Sequence, residues 1–133
     1  MNKNKHSGVL GLSEYSNDLR DLMEKCNEGD EQAIITKNKY VRRIVDYIAQ
    51  YYVLLEGADA IVFTAGIGEN NVLIRKEICD KLSCLGVKID DEMNNVSGEF
   101  RKISTSDSKV DVYVIPTNEE LMIARDTLNL INR

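Results

Sequence analysis

Apolar residues recur at helical spacing in two stretches of the first half of the chain. The longer stretch covers residues 30–55, and Gly57 ends the predicted helix. On this helix a stripe of large apolar side chains lies opposite a charged side. The shorter stretch predicts a helix that starts at the N-cap Ser16, runs to Glu28 and is followed by Gly29. The apolar face of this shorter helix consists of Leu19, Leu22, Met23 and Cys26.

The second half of the chain carries two further helical patterns. Residues 72–85 form the first pattern, and Gly86 follows its end. The second pattern covers residues 117–133, after Pro116, and we expect its apolar side chains to face a core. Those side chains belong to Leu121, Met122, Leu128 and Ile131.

Three short segments have the patterns of β-strands. Residues 60–64 are a continuous apolar run rich in β-branched side chains, which favours a strand covered on both faces. Residues 87–90 are a shorter candidate, and residues 110–115 alternate between two faces. The polar stretch 91–109 is expected to consist mainly of turns.

This order of helices and strands predicts an α/β domain in which helices pack on a sheet. Residues 1–14 are polar and contain glycine, so we expect a flexible leader in which residues 7–12 can dock as a short apolar segment. So few strands would leave much apolar helix surface uncovered. We therefore expect further strands from another chain or from a longer parent protein.

Composition narrows the class of protein. The chain has 133 residues, 43% of them hydrophobic and 29% charged, which is typical of one soluble globular domain. A net charge of −5 with mixed signs argues against a nucleic-acid partner. No apolar run approaches the roughly 20 residues that span a membrane. The chain has one histidine, which argues against a metal site built from Cys and His side chains. We therefore interpret the three cysteines as reduced, packed, cytosolic thiols; they are Cys26, Cys79 and Cys84.

The segment "FTAGIGENN" leaves the predicted strand through two glycines, Gly66 and Gly68. Glycines before a helix start, which Asn70 or Asn71 would cap, let a ligand approach backbone N–H groups. The segment is not a dinucleotide fingerprint, because Asn71 stands where the third glycine is needed. It is not a P-loop either, because Glu69 and Asn70 follow the second glycine. The pattern alone leaves open an anion-binding loop or a tight turn without a ligand.

Two polar motifs at predicted helix starts allow both a structural and a functional interpretation. In "PTNEEL", Thr117 and Glu120 fit a capping box, which leaves Glu119 to complement the helix dipole or to bind Mg²⁺. In "SNDLRDL", Asp18 and Arg20 either lie on a solvated helix start or contribute to a ligand site.

The combination of "SNDLRDL", "DAIVFTAGIGEN", "LGVKID" and "ISTSDSKVDVYVIPTNEELMIARDT" resembles the C-terminal part of the acetate kinases, over residues 7–126. Propionate kinases share these motifs, and butyrate kinases are more distant relatives. The resemblance implies an α/β fold: a partial ribonuclease H-like domain of the actin and Hsp70 ATPase type. It also implies reversible transfer of the γ-phosphoryl group of ATP to acetate, with Mg²⁺, to give acetyl phosphate and ADP.

The resemblance also implies which residues hold the cofactors. Asp18 and Arg20 would belong to the ATP pocket, and Glu119 would be the carboxylate of the Mg²⁺ site. The glycine segment would contact mainly the nucleoside end of ATP, rather than an anion as the pattern alone suggests. Its residues are Gly66, Ile67, Gly68, Glu69 and Asn70.

Length limits what the resemblance implies. Members of the family are much longer, and residues 1–133 correspond to their C-terminal nucleotide-binding portion. The acetate pocket and the arginines and histidines that stabilise the transferring phosphoryl group precede this portion, and His6 matches none of them. We therefore expect no catalytic residue here, binding of ATP or ADP, and no activity of the chain alone. Acetate and acetyl phosphate would bind only together with the N-terminal portion.

Two alternatives stay open. The chain can be a non-catalytic module for nucleotide binding or dimerisation, or part of a propionate kinase. The resemblance further implies a cytoplasmic homodimer, in which the long helix over residues 30–55 is a candidate for the interface. It implies neither a nucleic-acid partner nor a membrane.

Overall fold

The computed structural model describes residues 7–95 and 99–131. In these residues seven α-helices and three β-strands form. The helices are α1 (Gly8–Ser13), α2 (Leu19–Asn27), α3 (Glu31–Leu54), α4 (Ala65–Asn70), α5 (Val72–Lys81), α6 (Asp91–Asn94) and α7 (Glu119–Ile131). The strands are β1 (Ala60–Phe63), β2 (Arg101–Lys102) and β3 (Asp111–Val114).

Asp18, rather than Ser16, caps the start of α2. Its carboxylate Oδ1 accepts the backbone N–H of Arg20 at 2.8 Å, the usual bond of an N-cap residue. The hydroxyl of Ser16 accepts the N–H of Asp18 and donates to the carboxylate of Asp21. The predicted cap was therefore wrong, because two neighbouring polar side chains suit the same role and the one nearer the helix takes it.

Helix α3 confirms the predicted helix over residues 30–55. Asp30 caps its start by accepting a backbone N–H of the first turn at 2.7 Å. After the helix, Glu56 and Gly57 adopt φ of 58° and 126°. The N–H of Gly57 then donates back to the last turn of α3 at 2.8 Å. Glycine accepts such a φ at low cost, and this explains why the helix ends at this point.

Helix α1 lies within the predicted flexible leader of residues 1–14. The side-chain amide of Gln32 in α3 donates to the carbonyl of Leu12, and Val9 packs against the small cluster formed by α2 and α3. The predicted docking of this apolar segment is therefore confirmed, and residues 8–13 form a packed helix rather than a flexible leader. Residues 1–6 of the predicted leader lie outside the described residues.

The sheet has the strand order β1-β3-β2. Strands β1 and β3 are parallel, with Ala60 opposite Asp111 and Phe63 opposite Val114, and β2 is antiparallel to β3. Because the carboxyl ends of parallel strands meet at one edge, α4 and the segment that leads to α7 leave the sheet side by side. Open α/β sheets bind their ligands at this edge.

The main core lies between the sheet and helices α3 and α5. Val110, Val112 and Val114 are at most 1% exposed, which confirms the alternation predicted for this strand. Burying one such side chain contributes about 1.5–3 kcal/mol. The other buried members of the cluster are Val41, Phe63, Ile74, Ile78, Cys79, Leu82, Val87 and Ile103.

Two strand predictions were wrong. Val62 is 48% exposed, so β1 is not covered on both faces by the described part of the chain. Residues 87–90 do not form a strand, and Ile89 makes only an isolated bridge with Ser104. One face of β1 is thus left uncovered by the described residues.

Helix α7 forms where the sequence predicts a helix, but its apolar side chains do not face a core. None of its residues is buried. The exposed fractions of Leu121, Met122, Leu128 and Ile131 range from 42% to 74%. The prediction of an inward face was therefore wrong, because the pattern specifies an apolar stripe and not the surface that covers it.

The cysteines and the helices can be compared with what the composition predicts for them. All three cysteines are free, and burial raises the pKa of Cys79 to about 12. Cys84 is exposed, so its predicted packing role was wrong. Among the described residues, no helix is long and apolar enough to cross a membrane.

Candidate functional site

The predicted glycine loop is a short helix. Residues Ala65–Asn70 form α4 directly after β1, and Ala65 enters it with φ of 59°. The side-chain amide of Asn70 donates to the carbonyl of Gly66 at 2.8 Å and closes the turn. Asn71 then caps α5 by accepting the N–H of Ile74 at 2.9 Å, which resolves the predicted choice between Asn70 and Asn71.

Helix α4 and the start of α2 line one cavity of about 680 Å³. These two segments are far apart in sequence, and the sequence motifs alone did not bring them together. Five of the seven residues predicted for the nucleotide pocket line this cavity: Asp18, Arg20, Gly66, Ile67 and Asn70. Asn17, Leu19 and Asn71 complete the lining and were not predicted.

Asp18 and Arg20 form an ion pair at the mouth of this cavity. The Nη2 of Arg20 lies 2.6 Å from Oδ2 of Asp18, and its Nε lies 3.1 Å from Oδ1. These bonds from Arg20, with the backbone bond of the helix cap, lower the pKa of Asp18 to about 2. Asp18 is therefore an ionised carboxylate at neutral pH. Its partner Arg20 remains largely exposed and keeps guanidinium donors that Asp18 does not use.

The two glycines of α4 have different surroundings. A Cβ built on Gly66 would meet no atom within 4 Å, and Gly66 lines the cavity. A Cβ on Gly68 would lie 3.3 Å from the carbonyl carbon of Phe63, at the end of β1. Gly68 is thus needed for close packing of α4 against the strand. It does not line the cavity for which it was predicted.

Glu69 was also predicted for the nucleotide pocket, but its carboxylate points elsewhere. Its Oε1 accepts the backbone N–H of Thr117 at 2.7 Å and the hydroxyl of Thr117 at 2.9 Å. These two bonds lower the pKa of Glu69. The carboxylate therefore joins α4 to the segment that leads into α7.

This contact replaces the predicted capping box at the start of α7. Thr117 binds Glu69, and Asn118 caps the helix instead, because its Oδ1 accepts the N–H of Leu121 at 3.1 Å. Among the described residues, no hydrogen bond joins Glu120 to Thr117. The capping-box prediction was therefore wrong, because the partner of Thr117 lies 48 residues away in the sequence.

Glu119, the predicted magnesium ligand, lies in the first turn of α7. It lines a shallow depression of about 290 Å³ with Thr117, Asn118 and Glu120, separate from the cavity beside α4. In the described part of the chain, no group of three or more His, Cys, Asp or Glu side chains could hold a metal ion. One or two carboxylates suit Mg²⁺ that also binds phosphate and water, so this donor set fits Mg²⁺ brought by a nucleotide.

Arg75 supports the site and was missed by the sequence reasoning. Its side chain is fully buried, and its Nη1 donates to the carbonyls of Gly68 and Glu69 at 2.9 and 2.8 Å. Its Nε and Nη2 donate to the side chain and the carbonyl of Asn94 at 2.8 and 2.7 Å. Burial, and then the charge of nearby Arg101, lower the pKa of Arg75.

A signal for Arg75 is present in the sequence. Arg75 lies at helical spacing from Ile78, Cys79 and Leu82, so it belongs to the apolar face of its helix. An arginine on such a face needs buried acceptors, and here it satisfies the free carbonyls at the end of α4.

Solved structures similar to this one are acetate and propionate kinases. Acetate kinase of Porphyromonas gingivalis aligns with a TM-score of 0.86 and 40% identity over 96% of this chain and 32% of that chain. A propionate kinase from Francisella tularensis subsp. tularensis aligns with a TM-score of 0.79 and 40% identity over 90% of this chain and 30% of that chain. The chain therefore has part of the fold of the ribonuclease H-like ATPases of the actin and Hsp70 type.

Sequence comparison identifies the family within this class. The family model of the Acetokinase family matches residues 1–125, so the chain belongs to the acetokinase family. An acetate kinase from Aster yellows witches'-broom phytoplasma is 57% identical over 127 residues, which are 96% of this chain and 31% of the relative. The resemblance is confirmed, and the chain spans about a third of the length of these relatives.

The two glycines of α4 provide a matched pair of substitutions. Gly66→Val adds a side chain to open space in the cavity, so we expect ATP affinity to fall at least about tenfold while the free energy of unfolding changes by less than about 1 kcal/mol. Gly68→Val presses on Phe63 and should destabilise the chain by about 1–3 kcal/mol. Calorimetric titration and urea unfolding measure the two effects. An equal loss of ATP affinity in both variants, without destabilisation of either, would contradict the assignment of Gly66 to the cavity and of Gly68 to packing against the strand.

Arg75→Met removes the donors that hold α4 and leaves the carbonyls of Gly68, Glu69 and Asn94 without this partner. We expect a loss of about 2–4 kcal/mol in the free energy of unfolding, measured in urea. Arg42→Met is the matched control, because the Arg42 side chain is 70% exposed and its loss should change stability by less than about 0.5 kcal/mol. Similar stability of both variants would show that Arg75 does not hold the site.

Proposed function

We propose that this chain is the C-terminal, ATP-binding portion of a cytoplasmic acetate kinase. With the remaining two thirds of such an enzyme, it would take part in the reversible transfer of the γ-phosphoryl group of ATP to acetate. In the forward direction an acetate oxygen forms a bond to the γ-phosphorus, and the bond from that phosphorus to the ADP oxygen breaks. The products are acetyl phosphate and ADP.

One observation carries the proposal. The Asp18–Arg20 pair and the Gly66–Asn70 segment lie on one cavity, although about 46 residues separate them in the sequence. Both segments belong to the motifs that resemble the acetate kinases. A cavity of about 680 Å³ is within the range of small-molecule sites. Membership of the acetokinase family supports ATP as the ligand.

The residues of the candidate site would then have different roles in binding. The open backbone at Gly66 and the side chain of Ile67 would receive the nucleoside, while Arg20, oriented by Asp18, would supply donors. Glu119 would hold Mg²⁺, which supplies charge neutralisation on the phosphates. Groups that stabilise the transferring phosphoryl would come from the rest of the enzyme, so we propose that the chain alone is inactive. The acceptor could equally be propionate, since propionate kinases are among the similar structures.

Titration of the purified chain with ATP and Mg²⁺, together with an acetyl phosphate assay, tests this proposal. We expect saturable ATP binding with no detectable acetyl phosphate. Mixing with the N-terminal two thirds of a related acetate kinase should restore product formation with acetate. Arg20→Ala should weaken ATP binding, whereas Arg42→Ala, on the exposed side of α3, should not. Absence of ATP binding by the chain would refute the proposal.

A second candidate function is dimerisation through the end of α3. Large apolar side chains there are exposed by between 45% and 76%, and we call this set the α3 apolar end. Its members are Tyr47, Tyr51, Val53, Leu54 and Leu55. Several large exposed apolar side chains close together in the sequence are typical of protein interfaces, and aromatic residues dominate the energetics of such contacts. We propose a homodimer that uses this surface, with or without catalysis.

Light scattering after size-exclusion chromatography measures the oligomeric state. We expect the wild-type chain to elute as a dimer and Tyr51→Lys as a monomer, because a charge in the α3 apolar end loses its water on association. Asn38→Lys adds the same charge to an exposed position outside this surface and should leave the dimer intact. A dimer in both variants would exclude this surface.

A further inference from the structure

The bridge between Glu69 and Thr117 connects the two parts of the candidate site. On one side lies α4, which lines the cavity with Gly66, Ile67 and Asn70. On the other side lies the first turn of α7, which carries Glu119 two residues after Thr117. One carboxylate oxygen, Oε1 of Glu69, accepts both bonds from Thr117, at 2.7 and 2.9 Å.

Little else fixes the position of α7. None of its residues is buried, so no core packing holds it. Its other hydrogen bonds are internal: Leu121 donates to Asn118, and Thr127 donates to the carbonyl of Ile123. Among the described residues, only the two hydrogen bonds to Glu69 join residues 117–131 to the rest of the chain.

The chain connection alone orients the first turn only loosely. The ladder between β1 and β3 ends with the N–H of Ile115, which donates to the carbonyl of Phe63 at 2.9 Å. Pro116 follows and has no N–H to donate. The next backbone N–H is that of Thr117, and it is held by Glu69. The bridge therefore sets the direction in which the chain enters α7.

The surroundings of Glu69 also keep this carboxylate out of the cavity lining. The bonds from Thr117 turn it away from the cavity, and α4 itself is held from the other side by Arg75. Charge-assisted bonds of this kind are stronger than bonds between neutral groups.

We propose that Glu69 is a positioning residue that, through Thr117, sets the place of Glu119 relative to the nucleotide cavity. This inference rests on the proposed function, because it takes Glu119 as the carboxylate that meets Mg²⁺ on a bound nucleotide. It assigns Glu69 a role different from the nucleotide contact that the family resemblance implies. The role predicts that loss of the bridge weakens the preference for ATP with Mg²⁺ over ATP alone.

Two readouts on the full chain test the inference. The first is the hydrogen-exchange rate of the Thr117 amide by NMR, which reports the bridge without any ligand. The second is the ratio of the ATP dissociation constants in EDTA and in excess Mg²⁺, by calorimetry. Glu69→Ala removes both bonds, Thr117→Val removes one, and Thr117→Ser keeps both. Glu119→Ala shows how far the ratio falls when the carboxylate itself is absent.

We expect Glu69→Ala to speed exchange of the Thr117 amide by about tenfold and to lower the Mg²⁺ ratio by about fivefold, with affinity for ATP in EDTA within about twofold of wild type. Thr117→Val should give a smaller fall in the ratio, and Thr117→Ser should retain it. The matched controls are Glu24→Ala on the exposed side of α2 and Thr127→Val, whose hydroxyl bonds only within α7. Both should leave the two readouts unchanged.

Three results would overturn the inference. Equal amide exchange in wild type and Glu69→Ala would show that the bridge does not form. An unchanged Mg²⁺ ratio would show that the bridge does not position Glu119. A parallel loss of affinity with and without Mg²⁺ would show that Glu69 contacts the nucleotide directly. If the wild-type chain binds no ATP at all, the proposed function fails, and amide exchange still decides whether Glu69 holds Thr117.

Discussion

The buried guanidinium of Arg75 is the interaction on which the candidate site depends. Its donors reach the end of α4 through the carbonyls of Gly68 and Glu69, and α6 through Asn94. A helix of six residues has too few internal bonds to be stable by itself. One charged side chain therefore gives α4 a fixed place between the strand and the following helices. This arrangement uses the free carbonyls at a helix end as acceptors, so the guanidinium is satisfied without a carboxylate.

Fixed in this way, α4 links local packing to the chemistry at the edge of the sheet. Gly68 brings its backbone against Phe63, Gly66 opens towards the cavity, and Glu69 reaches Thr117. Residues of a single helical turn thus contact different partners on different sides of α4. A substitution in this segment affects stability, ligand space or the start of α7 according to which side it faces. The segment is therefore more than a loop that lets a ligand approach.

The periodic parts of the fold were predictable from the sequence. Helix α3 and strand β3 form where their patterns predict them, and in β3 the buried positions are those that the alternation indicates. The apolar stripe of α3 is buried only in part, because Val41 is buried whereas Tyr51 and Leu55 are exposed. The family was also recognisable, because several motifs occur together at fixed spacing. Local capping was less predictable, since Ser16 and Asp18 are both good caps and only the three-dimensional arrangement decides between them.

Contacts between distant segments could not be predicted from patterns. The bond from Thr117 to Glu69 spans 48 residues, and the bonds from Arg75 to Asn94 span 19. The pattern of the motif itself pairs Thr117 with Glu120 and carries no sign of Glu69. The cavity itself was implied only by the family resemblance, because neither segment that lines it carries a motif specific enough to define a ligand alone.

The uncovered apolar side chains of α7 bear on how a cell would handle this polypeptide. A helix with this composition in water is a target for chaperones, which bind exposed apolar segments, and its unburied backbone is open to proteolysis. A polypeptide in this state would be removed faster than one whose helix is covered. Its abundance would therefore follow the supply of whatever covers α7, rather than the rate of its own synthesis alone.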